Sequence, residues 1–363
     1  MHDGGLTPAE RQVSDEIGPY SPDASTAAIA ARLGVRRIAK LDANESAFGP
    51  FPGVAEAAAR ALTETNRYPD RGQELAAEIA DRHSVDQENI VVTNGADPLI
   101  GYLCQAFVPP GDDVIIPTPS FVTYRQDALR HGARVIEVPV RPDGCLDLPA
   151  TLEAIGVKTR IIFLCNPNNP TGGYLPPSDI TDFLDAVPSH VLVALDQAYA
   201  EFVGDEPDTG AGLDLSRPNV CYLRTFSKIF GLAGLRVGYI VGPTSIAHAV
   251  GRLRHWYDVT DIAHIAATLS LQQPEEITRR REATTAARLE LEQIMRNNDL
   301  EPLPSVTGFL LAPTTAVATT VLRLEEQGVL VRAVVSGTQE YLRIAVGDAD
   351  DRAQLEAALQ QLR

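Results

Sequence analysis

Lys228 lies where the sequence predicts a buried amine. The apolar residues 220–223 indicate an interior strand, and three glycines between positions 231 and 238 indicate a glycine-rich turn. Desolvation favours the neutral form of a lysine, and a neutral amine can form a Schiff base with an aldehyde. Arg236 could supply a fixed cation for a phosphate. A surface lysine in a loop is the alternative, and the Ser-Lys pair with a spaced arginine is more specific than a lone lysine.

Two further predicted strands end in polar residues. The apolar run at 161–165 leads into Asn-Pro-Asn-Asn-Pro-Thr-Gly, in which Asn169 precedes Pro-Thr-Gly. The run at 191–195 ends in Asp196, with Tyr199 three residues later. Ligands of open α/β sheets bind at the carboxyl ends of strands, where a carboxylate is costly without a cationic partner such as a protonated pyridine nitrogen. An ordinary loop, and an aspartate that caps a helix, are the alternatives.

A glycine turn predicts an anion site. Asn-Gly-Ala-Asp-Pro at 94–98 follows a short strand at 90–93 and opens a predicted helix. A glycine allows a tight turn, and free N–H groups at a helix start attract an anion. We expect Asp97 at the N-cap and Pro98 at the first helical position. Because proline has no N–H, the donors would be the amides of Ala96 and Asp97.

In this order the segments resemble those of fold-type-I pyridoxal-phosphate aminotransferases, especially the histidinol-phosphate aminotransferase group. The resemblance covers about residues 18–362 and includes the string Lys-Leu-Asp-Ala-Asn-Glu at 40–45. It implies that Lys228 holds pyridoxal 5'-phosphate as a Schiff base and then carries the substrate proton. Asp196 would keep the pyridine nitrogen charged, and Asn169 and Tyr199 would bind the phenolic oxygen.

The resemblance also implies the remaining binding residues. For the cofactor they are Phe121 against the ring and, at the phosphate, Ala96, Asp97, Ser227, Arg236 and the partner subunit's Tyr68. For the substrates they are Tyr20, Asn44, Arg332 and Arg343. Arg343 would clamp a substrate carboxylate, and Arg332 would help to hold the phosphate of histidinol phosphate. Phe121 is nearly as well explained as a core residue, and the two arginines as charges at strand edges.

The elements that must position these residues indicate an α/β protein. Seven strands between residues 90 and 241 alternate with helical patterns, which predicts a doubly wound, mainly parallel sheet. We expect an N-terminal arm (1–40), a large cofactor-binding domain (41–256) and a smaller C-terminal α/β domain (257–363). No Gly-x-Gly-x-x-Gly follows a strand, which weakens a dinucleotide-binding alternative.

The composition narrows the class of protein. A net charge of −17 on 363 residues argues against nucleic acid as a partner. No apolar run approaches the ~20 residues that span a bilayer. The N-terminal segment is polar and acidic, so we expect no signal or transit peptide. The four cysteines lack metal or redox spacing, which predicts reduced core residues, no metal site and a cytoplasmic protein.

The resemblance favours a homodimeric aminotransferase that transaminates histidinol phosphate, with glutamate and 2-oxoglutarate as amino donor and acceptor. An aromatic amino-acid aminotransferase is an alternative, because it uses almost the same residues. Departures from the family pattern at Pro98 and Asp258 keep open a pyridoxal-phosphate enzyme of specialised metabolism. The effector-sensing part of a transcription regulator would need a DNA-binding domain, for which the acidic chain has no room.

Overall fold

The computed structural model describes residue 17, residues 24–204 and residues 215–362. Tyr20, which the sequence predicts as a substrate-binding residue, lies outside the described residues. None of the described helices is both long enough and apolar enough to cross a bilayer.

The described strands form three sheets. They are β1 (Ala39–Lys40), β2 (Ile90–Thr93), β3 (Asp113–Thr118), β4 (Arg134–Pro139), β5 (Thr159–Cys165), β6 (Leu192–Asp196), β7 (Val220–Thr225), β8 (Gly238–Val241), β9 (Phe309–Thr314), β10 (Val329–Leu330), β11 (Arg332–Ser336) and β12 (Gln339–Ala345).

The described α-helices pack around these sheets. They are α1 (Thr26–Leu33), α2 (Val54–Ala61), α3 (Gly72–His83), α4 (Asp97–Phe107), α5 (Val122–Arg130), α6 (Leu148–Glu153), α7 (Pro177–Ala186), α8 (Thr244–Gly251), α9 (Asp261–Leu271), α10 (Pro274–Asn297), α11 (Val317–Glu326) and α12 (Ala349–Gln360).

The largest sheet has seven strands in the order β2-β8-β7-β6-β5-β3-β4. Its strands pair in parallel except β8, which is antiparallel to both β2 and β7. The predicted seven-stranded, mainly parallel sheet is therefore confirmed. Parallel strands are covered on both faces, which explains why β5 and β6 are buried almost throughout and read as apolar runs.

Helices cover both faces of this sheet. Ile161 and Phe163 of β5 pack in the same apolar cluster as α4, α5 and α8. Ile162 and Leu164 of the same strand pack on the opposite side with α6 and α7. Successive side chains of a strand point to opposite faces, so one continuous apolar run supports two helical layers. The carboxyl ends of β5, β6 and β7 meet at one edge between these layers.

A second, smaller unit contains the antiparallel sheet β11-β12-β9 with α10, α11 and α12. The short strand β1 pairs in parallel with β10 and places Ala39 and Leu41 in the core of this unit. In contrast, α9 packs with α2 and α3 in the cluster that contains β2 and β8. The domain boundaries expected after residues 40 and 256 stay predictions. A test of them must account for Ala39, which packs in the smaller unit, and for α9, which packs with the large sheet.

Candidate active site

A cavity of about 380 Å³ opens at the carboxyl ends of β5, β6 and β7. It brings together most of the residues that the sequence predicts for the cofactor, although they come from distant parts of the chain. The predicted residues that line it are Ala96, Asp97, Phe121, Asn169, Asp196, Tyr199, Ser227, Lys228 and Arg236.

Lys228 follows β7 and extends its half-buried side chain into this cavity. Its Nζ donates to the carbonyl oxygen of Asn44 at 3.3 Å and lies 5.5 Å from the ring centroid of Tyr199. The turn after the lysine requires glycine at Gly231, where φ is 70° and a Cβ would lie 2.5 Å from the carbonyl oxygen of Gly49. The lysine is thus attached to a turn packed directly against the backbone of the N-terminal part of the chain.

Asp196 is the last residue of β6, and only 5% of its surface is exposed. Burial raises the pKa of Asp196, while a hydrogen bond from Tyr124 acts in the opposite direction. The Tyr124 hydroxyl donates to Oδ2 at 2.5 Å, and the amide of Ala198 donates to Oδ1 at 2.9 Å. These two donors favour the ionised carboxylate that a cationic ligand requires.

Tyr124 is a residue of this site that the sequence analysis missed. Its ring stacks on Phe163 at 5.0 Å and is fully buried beneath the cavity. The available signal was its position three residues after Phe121, which places both rings on one face of α5. That spacing shows that the two rings are neighbours, but not that the tyrosine reaches a carboxylate 72 positions away.

Arg343 joins the smaller unit to the edge of the large sheet. Its Nη1 donates to Oδ1 of Asn169 at 2.8 Å, and its Nη2 donates to the carbonyl oxygen of Asp42 at 2.5 Å. Burial lowers the pKa of Arg343, and the charge of Arg332 acts in the same direction. An arginine stays protonated under such shifts, so the site holds a desolvated positive charge beside Asn169.

Asn44 contacts Tyr199, which lines the cavity. Nδ2 of Asn44 donates to the Tyr199 hydroxyl at 3.2 Å. Asn44 has a positive φ of 52°, a conformation that asparagine adopts more readily than most residues. Among the described residues, Oδ1 of Asn44 and Nε of Arg343 are buried without a hydrogen-bond partner. Buried polar atoms of this kind are normally satisfied, so these two atoms, on residues that contact Tyr199 and Asn169, are candidates to bind a polar ligand.

The anion end of the cavity differs by one residue from its prediction. Ala96, and not Asp97, is the N-cap of α4, so Asp97 and Pro98 are the first and second helical residues. In the turn before the helix the Thr93 hydroxyl donates to the Gly95 carbonyl, and the Ala96 N-cap has no side-chain capping bond. The Asp97 carboxylate instead accepts from Arg236 Nη2 at 3.4 Å.

This correction leaves the proposed donors unchanged. The Leu99 amide donates to the Ala96 carbonyl at 3.1 Å, and Pro98 has no N–H. The amides of Ala96 and Asp97 therefore remain the free donors among the described residues of the turn. The positive end of α4 stands behind them, which favours an anion.

Arg236 and Ser227 complete the anion end. Nη1 of Arg236 lies 3.4 Å from the Ser227 hydroxyl and donates to the Ala233 carbonyl at 3.1 Å. Gly95 makes room for this arginine, because a Cβ there would lie 2.5 Å from Nη2. Thr225, which the sequence analysis did not single out, donates its hydroxyl to that of Ser227 at 3.0 Å.

Asp258, a departure from the family pattern, supports the same turn. Its Oδ2 accepts from the Asn94 amide at 3.1 Å, and its carbonyl oxygen accepts from Asn94 Nδ2 at 3.0 Å. The amide oxygen of an asparagine could accept the first of these bonds equally well. The substitution is therefore compatible with an intact anion site.

Four predicted residues that the structure describes do not line the cavity. Asn44 and Arg343 contact its lining residues Tyr199 and Asn169, whereas Tyr68 and Arg332 lie elsewhere. Tyr68 is 74% exposed and stacks on Tyr257 at 4.4 Å beside a separate groove of about 750 Å³. Arg332 lies on the exposed side of β11, directly opposite Arg343 in the strand register. The described part of the chain thus brings together the predicted cofactor residues except Tyr68, while the predicted substrate residues Asn44, Arg332 and Arg343 do not line the cavity.

Comparison with known proteins agrees with this geometry. The profile of the family "Aminotransferase class I and II" matches residues 36–362. A "Histidinol-phosphate aminotransferase 2" of Carboxydothermus hydrogenoformans is 37% identical over 343 residues, which are 93% of this chain and 94% of the relative. A histidinol-phosphate aminotransferase of Granulibacter bethesdensis is 38% identical over 325 residues, covering 88% of this chain and 87% of the relative.

A solved structure gives the same result for the fold. The histidinol-phosphate aminotransferase of Sinorhizobium meliloti, in complex with pyridoxal-5'-phosphate, superposes with a TM-score of 0.86 at 28% identity, covering 94% of this chain and 96% of that one. The predicted fold type I is thereby confirmed. From its sequence profile, its relatives and its fold, this chain belongs to the aminotransferase class I and II family.

Proposed function

We propose that this protein is a pyridoxal-phosphate-dependent aminotransferase that transfers the amino group of histidinol phosphate to 2-oxoglutarate, a step of histidine biosynthesis. The observation that carries the proposal is one cavity whose lining combines Lys228, the buried Asp196 carboxylate and the Ser227–Arg236 anion end. The names of the two relatives and of the solved structure support the same activity.

The residues present fit pyridoxal 5'-phosphate. The cavity offers an amine for the aldehyde, an aspartate for the pyridine nitrogen and donors for the phenolic oxygen. At the other end the Ala96 and Asp97 amides, the Ser227 hydroxyl and the Arg236 guanidinium suit a phosphate. Phe121 lines the cavity between these groups and supplies an aromatic face.

In this mechanism the protein supplies position, charge and proton transfer. Lys228 would hold the aldehyde of the cofactor through its Nζ, and the same amine, when free, would carry the proton from the substrate carbon that bears the amino group. Asp196 would supply the negative charge for the pyridine nitrogen, and Asn169 and Tyr199 would bind the phenolic oxygen. The cofactor supplies the electron sink for the negative charge that the lost proton leaves.

Arg343 and Arg332 would recognise the anionic groups of the two substrates, histidinol phosphate and glutamate. Histidinol phosphate carries an amine, an imidazole and a phosphate but no carboxylate, so its recognition needs cationic and hydroxyl partners. We propose Arg343, Arg332 and Tyr20 for this role, and Asn44 as a neighbouring wall of the substrate site. Glutamate binds the same pocket in the other half-reaction, where Arg343 suits a carboxylate.

We also propose that the active species is a homodimer in the cytoplasm. Tyr68 and Tyr257 line a groove and are both exposed, and the ring of Trp256, which contacts Tyr257, is 88% exposed. A second copy would cover them and bring the partner's Tyr68 to the phosphate end. The free, mostly buried cysteines suit a reducing compartment.

The experiment is a donor panel with purified protein loaded with pyridoxal 5'-phosphate. Histidinol phosphate, phenylalanine and tyrosine are each tested with 2-oxoglutarate, and glutamate formation is measured. We expect the highest kcat/KM with histidinol phosphate. Turnover only of the aromatic donors would assign the enzyme to aromatic amino acids. No turnover of any of the three, in a protein that binds the cofactor, would favour specialised metabolism.

A further inference from the structure

Arg224 is a buried arginine that does not line the cavity. It contacts residues 197 and 201, and the segment between them includes Ala198 and Tyr199, which do line the cavity. The Arg224 side chain is 1% exposed at the carboxyl end of β7, just before the lysine turn. Nε donates to Oε1 of Gln197 at 2.9 Å, and Nη1 donates to Oε1 of Glu201 at 2.9 Å. Both acceptors are buried, so the guanidinium spans an interior gap between the ends of β6 and β7.

The two acceptors flank Tyr199, two residues before it and two residues after it. The turn between them also contains Ala198, whose amide binds the Asp196 carboxylate at 2.9 Å. The main chain fastens only the start of this turn to β7, through the Gln197 amide and the Leu223 carbonyl at 2.9 Å. The Arg224 side chain fastens the far end through Glu201.

A contribution to folding stability is a weak explanation for the buried Arg224–Glu201 ion pair. Desolvation of two charges offsets much of their attraction, so a buried ion pair generally adds little over an apolar pair. A planar guanidinium does, however, fix two acceptors in defined directions, which an ammonium group cannot do. The arrangement therefore suits a segment whose orientation matters, and the Tyr199 ring lies 5.5 Å from Lys228 Nζ.

We propose that Arg224 is a positioning residue. It holds the Tyr199 hydroxyl in place relative to the Lys228 amine by fixing the turn between β6 and the short 3-10 helix Ala200–Phe202. This role rests on the proposed function only in placing the cofactor in this cavity. If the Tyr199 hydroxyl donates to the phenolic oxygen of the cofactor, as the proposed function has it, a change in its position would change the pH at which the lysine-bound cofactor takes up its proton. Arg224 acts on that pH without touching the cofactor.

Arg224→Lys tests this proposal, since it keeps a positive charge opposite Glu201 but removes the planar guanidinium that donates to both Gln197 and Glu201. In the protein without added cofactor, we expect amide hydrogen exchange of residues 197–203 to accelerate at least tenfold. In the loaded protein, the midpoint of the absorbance–pH titration should shift, and kcat should fall about 10- to 100-fold with a smaller change in KM.

Arg352→Lys is the matched control. Arg352 is a largely buried arginine of α12 that pairs with Glu290 at 2.7 Å and donates to the Gly347 carbonyl at 3.0 Å. Neither its α12 position nor these contacts connect it to the Tyr199 turn. Its replacement should leave local exchange at 197–203, the titration midpoint and kcat unchanged.

A double-mutant cycle separates positioning from general damage. In a Tyr199→Phe background, Arg224→Lys should lower kcat by less than threefold, because the hydroxyl that it positions is already absent. Equal losses in both backgrounds, or unchanged exchange and titration in the single variant, would overturn the proposal. If Arg224→Lys does not fold, Gln197→Ala removes one contact while keeping the ion pair, and the same criteria apply.

The readouts also separate this proposal from the proposed function. Hydrogen exchange and the absorbance titration use no amino substrate. If histidinol phosphate is not turned over by the unmutated protein, the proposed reaction fails while both readouts still decide the role of Arg224.

Discussion

Nη1 of Arg343 donates to Oδ1 of Asn169 at 2.8 Å, a contact between residues 174 positions apart. It links β12 of the smaller unit to the asparagine-rich turn of the large sheet. Because the amide oxygen of Asn169 is occupied in this way, its Nδ2 is the group left to donate into the cavity. Under the proposed function, substrate recognition and cofactor orientation would share this hydrogen bond.

Arg343→Lys should therefore damage both functions. A lysine cannot donate to Asn169 and to the Asp42 carbonyl with two fixed N–H groups. Losing a charge-assisted contact costs about 1.5–3 kcal/mol, so kcat/KM for glutamate should fall roughly 10- to 150-fold. Steady-state kinetics measure this change. The control is Arg288→Lys, a partly buried arginine that donates to the Thr307 carbonyl at 3.1 Å, and a similar loss there would remove the assignment from Arg343.

Tyr124→Phe should make the protein more sensitive to pH. Burial raises the pKa of Asp196 and the Tyr124 hydroxyl opposes the rise, so removing the hydroxyl raises that pKa further. A carboxyl with a raised folded-state pKa keeps a proton that the unfolded chain has released, so stability is lost as pH rises through the folded pKa. In cofactor-free protein, the variant should therefore lose more unfolding free energy at pH 8 than at pH 5.

The Asp196→Asn background is the control for this prediction. It removes the titrating carboxyl, so adding Tyr124→Phe there should change stability equally at both pH values. Asp196→Asn should also keep cofactor bound while lowering kcat by several orders of magnitude, since the pyridine nitrogen loses its anionic partner. A pH-independent effect of Tyr124→Phe in the unmutated background would contradict the account.

Gly95→Ala should weaken cofactor binding through Arg236. The new Cβ would lie 2.5 Å from Nη2 of Arg236 and would displace the guanidinium from the anion end. Gly53→Ala is the matched control, because φ there is also positive, at 75°, yet no atom lies within 4 Å of the added Cβ. Both variants should lose about 1 kcal/mol of stability from backbone strain. Only Gly95→Ala should raise the dissociation constant of pyridoxal 5'-phosphate, by at least tenfold in an absorbance titration.

Arg332→Ala tests the choice of substrate. If Arg332 helps to bind a phosphate, its loss costs about 2–3 kcal/mol, or roughly 30- to 150-fold in kcat/KM for histidinol phosphate. Phenylalanine has no phosphate and should be affected far less. Arg323→Ala, at an exposed arginine of α11, should change neither donor. Equal losses for the two donors after Arg332→Ala would favour an aromatic amino-acid aminotransferase.

The sequence was sufficient to predict that the polar residues at the ends of buried strands lie close together. Lys228, Asp196 and Asn169 each come after an apolar run, and parallel strands bring their carboxyl ends to one edge, so their proximity could be predicted. The contact from Tyr124 to Asp196 could not, because it depends on how α5 packs on β5 and β6. The same holds for Arg224, whose partners lie on another strand end.

Smaller errors also have physical causes. Aspartate favours the N-cap position, which predicts Asp97 there, yet Ala96 is the N-cap of α4 and the Asp97 carboxylate contacts Arg236. Tyr68 and Arg332 are predicted from the family pattern alone. Neither lines the cavity, and their roles stay predictions.

Borohydride trapping tests the central claim most directly. Reduction of the protein loaded with pyridoxal 5'-phosphate, followed by peptide mass spectrometry, identifies the lysine that holds the cofactor. The account predicts modification of Lys228, and loss of both the lysine-bound absorbance and turnover in Lys228→Ala. Modification of Lys40 or Lys158 in place of Lys228, or turnover that survives Lys228→Ala, would contradict it.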